Sequence, residues 1–154
     1  MDSLAKLLAI EEIRQLKARY FRFVDTRDFA SLEDLFCEQA VFDASDAARL
    51  HTPDGDWIGS HGPVVSGRTK IIAWIAASYV DRVSVHHGHD HEIYFDSDVL
   101  ARGIVAMEDR IRRRDLKTRL IEAQGYYHEI YRFERGAWKI ASTKLTRIFR
   151  DICD

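Results

Sequence analysis

The chain has 154 residues, which is the usual length of one domain, and we expect a single domain over residues 1–154. Hydrophobic residues make up 46% of the sequence and charged residues 31%, which excludes the disordered and low-complexity classes of protein. The formal net charge is -2, whereas a domain that binds nucleic acid by neutralising phosphates is normally basic. We therefore expect no nucleic-acid partner.

The cysteine count and the first residues bear on localisation. Two cysteines, Cys37 and Cys153, are too few for a disulfide framework, which is typical of a reducing compartment. The first residues lack the basic segment and apolar stretch of a signal peptide. The most apolar run, residues 71–80, is far shorter than the roughly 20 residues of a membrane-spanning helix. These features predict a cytoplasmic protein with no membrane partner.

The first half of the sequence predicts three helices. Apolar residues recur at three- and four-residue steps from Ser3 to about Val24, which indicates an amphipathic helix. These apolar positions are Leu4, Leu7, Leu8, Ile13, Leu16, Tyr20 and Val24. Asp28 is a candidate N-cap for a short second helix, and a short strand is predicted at residues 40–42. A polar loop follows over residues 46–66, and a third helix is predicted over residues 69–80.

In the second half the apolar period changes from helical to two, which is typical of strands. Four long strands are predicted: Val83–Phe95, Val99–Ile111, Leu120–Phe133 and Ala137–Phe149. Short connections between them favour antiparallel neighbours. The predicted fold class is therefore α+β: a curved antiparallel β-sheet wrapped around N-terminal helices, forming a cone-shaped α+β barrel. The open end of such a cone offers a place for a pocket.

Four of the seven histidines lie between Ser84 and Glu92. On a strand, alternation places His86 on one face and the other three histidines on the opposite face. Three imidazoles and a carboxylate could hold a metal ion, a spacing similar to the first motif of cupins. A polar, partly solvated strand explains the same residues without a metal. The candidate ligands of this alternative, a His-rich metal enzyme, are His87, His89, His91 and Glu92, with His128 for a second motif.

The strongest resemblance to a known family begins at residues 13–25, which read IRQLKARYFRFVD. It continues through SVHHGH at residues 84–89, MED at 107–109 and TRIF at 146–149. This pattern resembles SnoaL-like proteins of the nuclear-transport-factor-like superfamily, and is most similar to the bile-acid dehydratases and scytalone dehydratases. The resemblance covers nearly the whole chain and implies the same α+β cone. Unlike some members, this chain has no tyrosine in its first strand, which leaves the substrate open.

The resemblance implies a cofactor-independent dehydratase (a lyase) or isomerase that acts on a hydrophobic cyclic hydroxy-carbonyl compound. His86 would be the general acid and base, Asp25 would orient it, and Tyr20 would donate a hydrogen bond to the carbonyl. Tyr127 and Arg147 would bind substrate, and neither a metal nor an organic cofactor is required. A histidine can serve as base and acid in turn, because its ordinary pKa of about 6.5 lies near neutrality.

An alternative function is a non-catalytic domain of the same fold that binds an apolar ligand or packs beside another subunit, since one fold hosts many functions. Hydrogen bonding between Asp25 and His86 at a closed cavity would favour the enzyme. The expected partners are a small hydrophobic substrate and further copies of the chain. A homo-oligomer, trimer or dimer, is expected because the long strands carry apolar residues on both faces, and helices cover only one.

Overall fold

The computed structural model describes residues 1–51, 54–115 and 117–152. Helix α1 spans Ser3–Asp25, a 3-10 helix spans Ala30–Leu35, and helix α2 spans Arg68–Ser78. The carboxylate of Asp2 caps α1 by accepting a hydrogen bond from the backbone N–H of Ala5 at 2.8 Å. The three predicted helices are thus present close to their expected boundaries.

The described residues form eight strands. They are β1 (Phe36–Asp43), β2 (Arg49–His51), β3 (Trp57–Gly59), β4 (Val64–Ser66), β5 (Arg82–Ser97), β6 (Leu100–Arg113), β7 (Arg119–Glu134) and β8 (Ala137–Ile152). Six of them form one sheet in the order β4-β1-β8-β7-β6-β5, and β2 pairs with β3 separately. The sheet is curved and α1 packs across β5 and β8, which confirms the predicted α+β architecture.

The sheet differs from the prediction in two respects. It is mixed, because β1 pairs in parallel with β8, whereas a wholly antiparallel sheet was expected. It is also not closed into a barrel, since β4 and β5 lie at opposite ends of the strand order. The parallel pair has a physical reason: β8 already has β7 on one side, and β1 reaches its other side through a long connection rather than a hairpin.

The segment from residue 46 to 66 is not one irregular loop. It holds the β2–β3 hairpin and then β4, which pairs antiparallel with β1 through Phe42 and Val65. The backbone carbonyl of Pro63 accepts a hydrogen bond from the N–H of Ala44, which ties the end of this segment to the end of β1. The end of this segment, from Pro63 through β4, therefore lies against β1 at the edge of the sheet.

The core lies between α1 and the concave face of the sheet. Its largest fully buried apolar members are Ile13, Leu16, Val24, Leu32, Phe36, Ile71, Val105, Tyr131 and Ile140. The prediction that Leu4, Leu7 and Leu8 belong to the buried stripe of α1 is wrong, because they are 67%, 64% and 58% exposed. At about 100° per residue these leucines lie on the side of the helix opposite to Ile13 and Leu16.

Within the described ranges no helix has the combination of length and apolar character that crossing a bilayer requires. Cys37 is buried with a free thiol. Cys153 lies outside the described residues.

Candidate active site

The imidazole of His86 and the carboxylate of Asp25 meet where the end of α1 crosses β5. His86 Nδ1 lies 2.6 Å from Asp25 Oδ1, and the backbone N–H of His86 donates to Asp25 Oδ2 at 2.8 Å. Ser84 Oγ donates a further hydrogen bond to Asp25 Oδ1 at 2.8 Å. Three donors therefore fix the carboxylate, and the carboxylate fixes the tautomer and orientation of the imidazole.

Local structure explains why Asp25 lies at this point. Asp25 is the last residue of α1, and both the backbone N–H and the hydroxyl of Thr26 bond to the carbonyl of Arg22. Arg27 then adopts a left-handed conformation with a φ of 62° and donates hydrogen bonds to the carbonyls of Tyr79 and Arg82. This turn joins the end of α1 to the start of β5, and so the carboxylate meets the strand.

His86 is held on both sides. Its side chain is only 4% exposed, and its ring stacks on Phe21 with an interplanar angle of 6° and a centroid distance of 5.9 Å. The hydroxyl of Tyr79 lies 3.2 Å from His86 Nε2. A Cβ on Gly88 would approach Phe21 to 2.5 Å, so the absence of a side chain there makes room for the stacking ring.

The atom His86 Nε2 faces a cavity of about 240 Å³ at the open end of the cone. Its walls are mainly aromatic and aliphatic, with Phe42, Trp74, Ile75, Ile111, Ile121 and Leu145 among them. Tyr20, Tyr127 and Arg147 line the same cavity. Asp25 does not line it and instead lies behind His86, in a groove between α1 and β5. The structure thus brings all five predicted site residues to one place, and their catalytic roles stay predictions.

Tyr20 and Tyr127 form a pair in the cavity wall. Their rings are nearly perpendicular, at 80°, with centroids 6.2 Å apart. Burial raises the pKa of Tyr20 and of Tyr127 well above the ordinary value for a phenol. Both side chains are therefore neutral near pH 7 and keep an O–H that can donate to a ligand.

The sequence analysis missed Asp109 and Tyr79. Asp109 is the cross-strand partner of His86, and its carboxylate lies 2.6 Å from the guanidinium of Arg147. The two side chains are 2% and 7% exposed, and Asp109 Oδ1 and Arg147 Nε are buried with no hydrogen-bond partner among the described residues. Period-two alternation from the buried Met107 would have placed Asp109 on the inner face.

Tyr79 follows the last residue of α2, a position that its sequence alone gives no reason to associate with His86. Its pKa is raised, first by burial and then by the negative charges of Asp109 and Asp25. Tyr79 is therefore a neutral phenol near pH 7, able to donate a hydrogen bond to the unprotonated Nε2 of His86.

The predicted alternation of the four histidines fails at one residue. The pairing of β5 with β6 shifts between His89 and Glu92, and Asp90 takes a φ of 45°. This β-bulge reverses the strand face, so His91 points inward, on the same side as His86. His91 Nε2 is buried without a partner among the described residues, and burial lowers the pKa of this imidazole.

The bulge also separates the ligands that the metal alternative requires. His87 and His89 are exposed and lie 3.0 Å and 4.0 Å from Glu108 Oε1, while His91 is on the other face. His128 is exposed and lies 3.0 Å from the hydroxyl of Thr146. Among residues 1–51, 54–115 and 117–152, no three His, Cys, Asp or Glu side chains converge on a point that could hold a metal ion.

A curved sheet that is not closed, packed against N-terminal helices, is the architecture of the nuclear-transport-factor-like cone folds. Residues 5–144 match the family described as the SnoaL-like domain. The chain belongs to this family, which confirms the resemblance read from its motifs.

Solved structures show the same fold at low sequence identity. A provisionally assigned scytalone dehydratase from Novosphingobium aromaticivorans has a TM-score of 0.80 and 16% identity, over 99% of this chain and 93% of that one. A protein from Kribbella flavida gives 0.78 and 17%, over 95% of both chains. A hexachlorocyclohexane dehydrochlorinase, LinA, gives 0.77 and 16%, over 99% and 94%. At these identities the similarity establishes the fold.

Proposed function

We propose that the protein is a cofactor-independent lyase, a dehydratase, or an isomerase, acting on a hydrophobic cyclic hydroxy-carbonyl compound. The observation that supports this most directly is the 2.6 Å contact between His86 Nδ1 and Asp25 Oδ1, with His86 Nε2 facing an apolar cavity. Two structural relatives named as elimination enzymes, a scytalone dehydratase and a dehydrochlorinase, are consistent with this class of reaction.

In the proposed reaction His86 Nε2 removes the proton from the carbon next to the substrate carbonyl. The electron pair of the C–H bond moves to the carbonyl oxygen and forms an enolate. Asp25 stabilises the imidazolium, because its carboxylate accepts the Nδ1–H hydrogen bond. The enolate then re-forms the carbonyl, its electron pair forms the carbon–carbon double bond, and the bond from the β-carbon to the hydroxyl oxygen breaks. The imidazolium gives its Nε2 proton to that oxygen, which leaves as water, so the protein gains or loses no net proton.

The enolate oxygen needs donors that are in place before charge develops. The phenols of Tyr20 and Tyr127 line the cavity beside His86 and are protonated near pH 7, so they can supply such donors. Arg147 lies in the same wall, where its charge is partly balanced by Asp109. Tyr79 bonds to His86 Nε2 in the absence of substrate, so substrate binding would replace this contact at the reacting atom.

The test of the first step needs only a ketone, since proton removal does not depend on the leaving group. In D₂O, the protein should exchange the α-protons of 1-tetralone faster than buffer alone, as measured by loss of the α-methylene signal in NMR spectra. With 3-hydroxycyclohexanone, formation of the conjugated enone, followed by ultraviolet absorbance, reports dehydration. Saturable binding of both compounds without exchange or enone formation would support the non-catalytic alternative instead.

We further propose that the chain forms a homo-oligomer through the outer face of the sheet. Apolar side chains on this face are exposed: Val85, Tyr126, Ile130 and Ile148 have exposed fractions of 49%, 37%, 40% and 62%. An exposed apolar face of a sheet can mark a protein–protein interface. Light scattering at micromolar concentration should give the mass of a trimer or dimer, and an Ile148→Glu variant should shift it towards the 17.9 kDa monomer. A wild-type monomer would contradict the proposal.

A further inference from the structure

The charges around the cavity do not balance. Four charged side chains line it: Arg82, Arg147, Arg150 and Asp109. Asp109 is already paired with Arg147. Neither Arg82 nor Arg150 has an ion-pair partner among the residues that the structure describes, and the hydrogen bond from Arg150 Nη1 to the carbonyl of Ala48 is long, at 3.4 Å. Two unpaired cations therefore border an apolar cavity in a chain whose net charge is -2.

A second β-bulge turns Arg150 towards the cavity. Gln124 on β7 pairs with Phe149 on β8, whereas the next residue, Gly125, pairs with Arg147, so Ile148 is an extra residue on β8. Without this extra residue Arg147 and Arg150, three positions apart, would point to opposite faces. With it, both arginines line the cavity and Ile148 points outward, where it is 62% exposed.

Arg150 also lies in register with His86. The cross-strand pairs His86–Asp109, Asp109–Ala123 and Ala123–Arg150 form one row across β5, β6, β7 and β8. Three strand spacings separate the ends of this row by about 14 Å along the sheet, less where the sheet curves. Arg150 therefore lies at the far end of this row from the imidazole, with Asp109 and Ala123 between them in the row, and apolar side chains such as Ile111 and Leu145 line the same cavity.

The surroundings of Arg150 favour binding of an anion. The side chain is half-buried; burial and the positive charge of Arg147 lower the pKa of Arg150, and the carboxylate of Asp109 opposes this shift. A guanidinium that has lost part of its hydration and is repelled by a second cation is stabilised when an oxyanion takes the place of the lost water. Arg82 is more exposed and lies on the same inner face of β5 as His86, towards the start of the strand.

We propose that Arg150, assisted by Arg82, forms an anion subsite, and that the substrate is an organic acid whose carboxylate lies across an apolar body from its reacting carbon. This assignment of a substrate class rests on the proposed function, whereas the subsite itself requires no catalysis. An acidic group at this point would fix the register of an otherwise apolar ring system and so present one carbon to His86 Nε2.

Two isosteric probes separate charge from shape: 2-naphthoate and its neutral carboxamide, 2-naphthamide. Isothermal titration calorimetry with the wild-type protein should give an affinity for naphthoate at least about tenfold higher than for naphthamide, because a charge-assisted hydrogen bond to a guanidinium is stronger than a neutral one. Arg150→Met should remove most of this preference and leave naphthamide affinity within about twofold. Arg150→Lys, which keeps the charge without the planar fork, should retain part of it.

Four further comparisons make the result specific. Arg82→Gln should reduce naphthoate affinity less than Arg150→Met does, because Arg82 is exposed to water that screens it. Arg132→Gln, which removes an exposed arginine of β7 that does not line the cavity, should change neither affinity. Acetate, which carries the charge without an apolar body, should compete only weakly, and so should inorganic phosphate.

Equal affinities for the two probes, equal losses of both in Arg150→Met, or no binding of either would overturn the anion subsite. The His86→Ala variant should keep the preference for naphthoate, since His86 lies at the other end of the row. If the protein prefers naphthoate but does not exchange the α-protons of 1-tetralone, the anion subsite is supported and the proposed lyase activity is wrong. If the protein exchanges these protons but does not prefer naphthoate, the lyase activity is supported and the acidic substrate is wrong.

Discussion

Replacing His86 by alanine is expected to lower the rate of 1-tetralone proton exchange by about 10²–10⁴-fold, the usual contribution of a general acid–base group. The side chain is the base in the proposed reaction, and no other unprotonated nitrogen among the described residues lines the cavity. Asp25→Asn should cause a loss in the same range. An amide cannot accept a hydrogen bond at the nitrogen end, so it disturbs the imidazole tautomer and no longer stabilises imidazolium.

A structural control accompanies these variants. Ser84→Ala removes the hydroxyl that donates to Asp25 Oδ1 and leaves both members of the pair in place. A hydrogen bond to a charged group contributes about 1.5–3 kcal/mol, but Asp25 keeps its two other donors, so the expected loss of exchange rate is about tenfold and smaller than in either variant. If His86→Ala and Asp25→Asn both fold and retain full exchange activity, the acid–base mechanism is wrong. Affinity for 2-naphthamide, measured in parallel, reports whether each variant keeps its cavity.

The parts of the fold that the sequence predicted well are those with strong periodicity. The helical stripe ending at Val24 and the four runs of alternating residues specify α1 and the long strands. Asp25 could be placed at the helix end because the apolar pattern stops there. The pairing of its carboxylate with His86, by contrast, depends on the turn at Arg27, where a left-handed arginine gives no signal in the sequence.

Periodicity could not predict the features that interrupt it. One extra residue at Asp90 and another at Ile148 reverse the strand face, and neither position carries a glycine that would indicate a bulge. As a result His91 and Arg150 point inward against the simple alternation. The parallel contact between β1 and β8 was also hidden, since it joins residues about a hundred positions apart in the chain.

The burial of charged residues could not be predicted from the sequence pattern either. Lys17 lies on α1 between apolar positions and is 1% exposed, and Glu129 on β7 is completely buried. Their side chains meet at 2.6 Å, and Glu129 also accepts a hydrogen bond from the hydroxyl of Tyr131. Lys17 Nζ lies 3.4 Å from the centroid of the Tyr127 ring, directly behind the cavity wall. A charged residue in an amphipathic pattern is predicted to be solvated. Only the structure, in which Glu129 is the buried partner of Lys17, identifies Lys17 as a core residue.

Removing one member of this pair should be among the most destabilising single changes in the chain. Lys17→Met or Glu129→Gln is expected to lower the free energy of unfolding by about 3–5 kcal/mol, because each leaves an uncompensated charge in the core. Burial lowers the pKa of Lys17, and the carboxylate of Glu129 opposes this shift. The Glu129→Gln variant removes that carboxylate, so the lowering by burial is no longer opposed. Urea denaturation followed by circular dichroism gives the free energy of unfolding of the wild-type protein and of the two single variants.

The double variant Lys17→Met/Glu129→Gln separates the cost of an unpaired charge from the value of the pair. It buries no charge and keeps an amide oxygen for Tyr131, so it should be more stable than either single variant, although each change alone is destabilising. Arg102→Gln is the matched surface control. Its ion pair with Asp96 has similar distances, but the side chains are 63% and 35% exposed, so the expected loss is below about 1 kcal/mol. Single variants of the buried pair that cost no more than this control would show that the interior tolerates an isolated charge, and that water reaches Lys17 or Glu129.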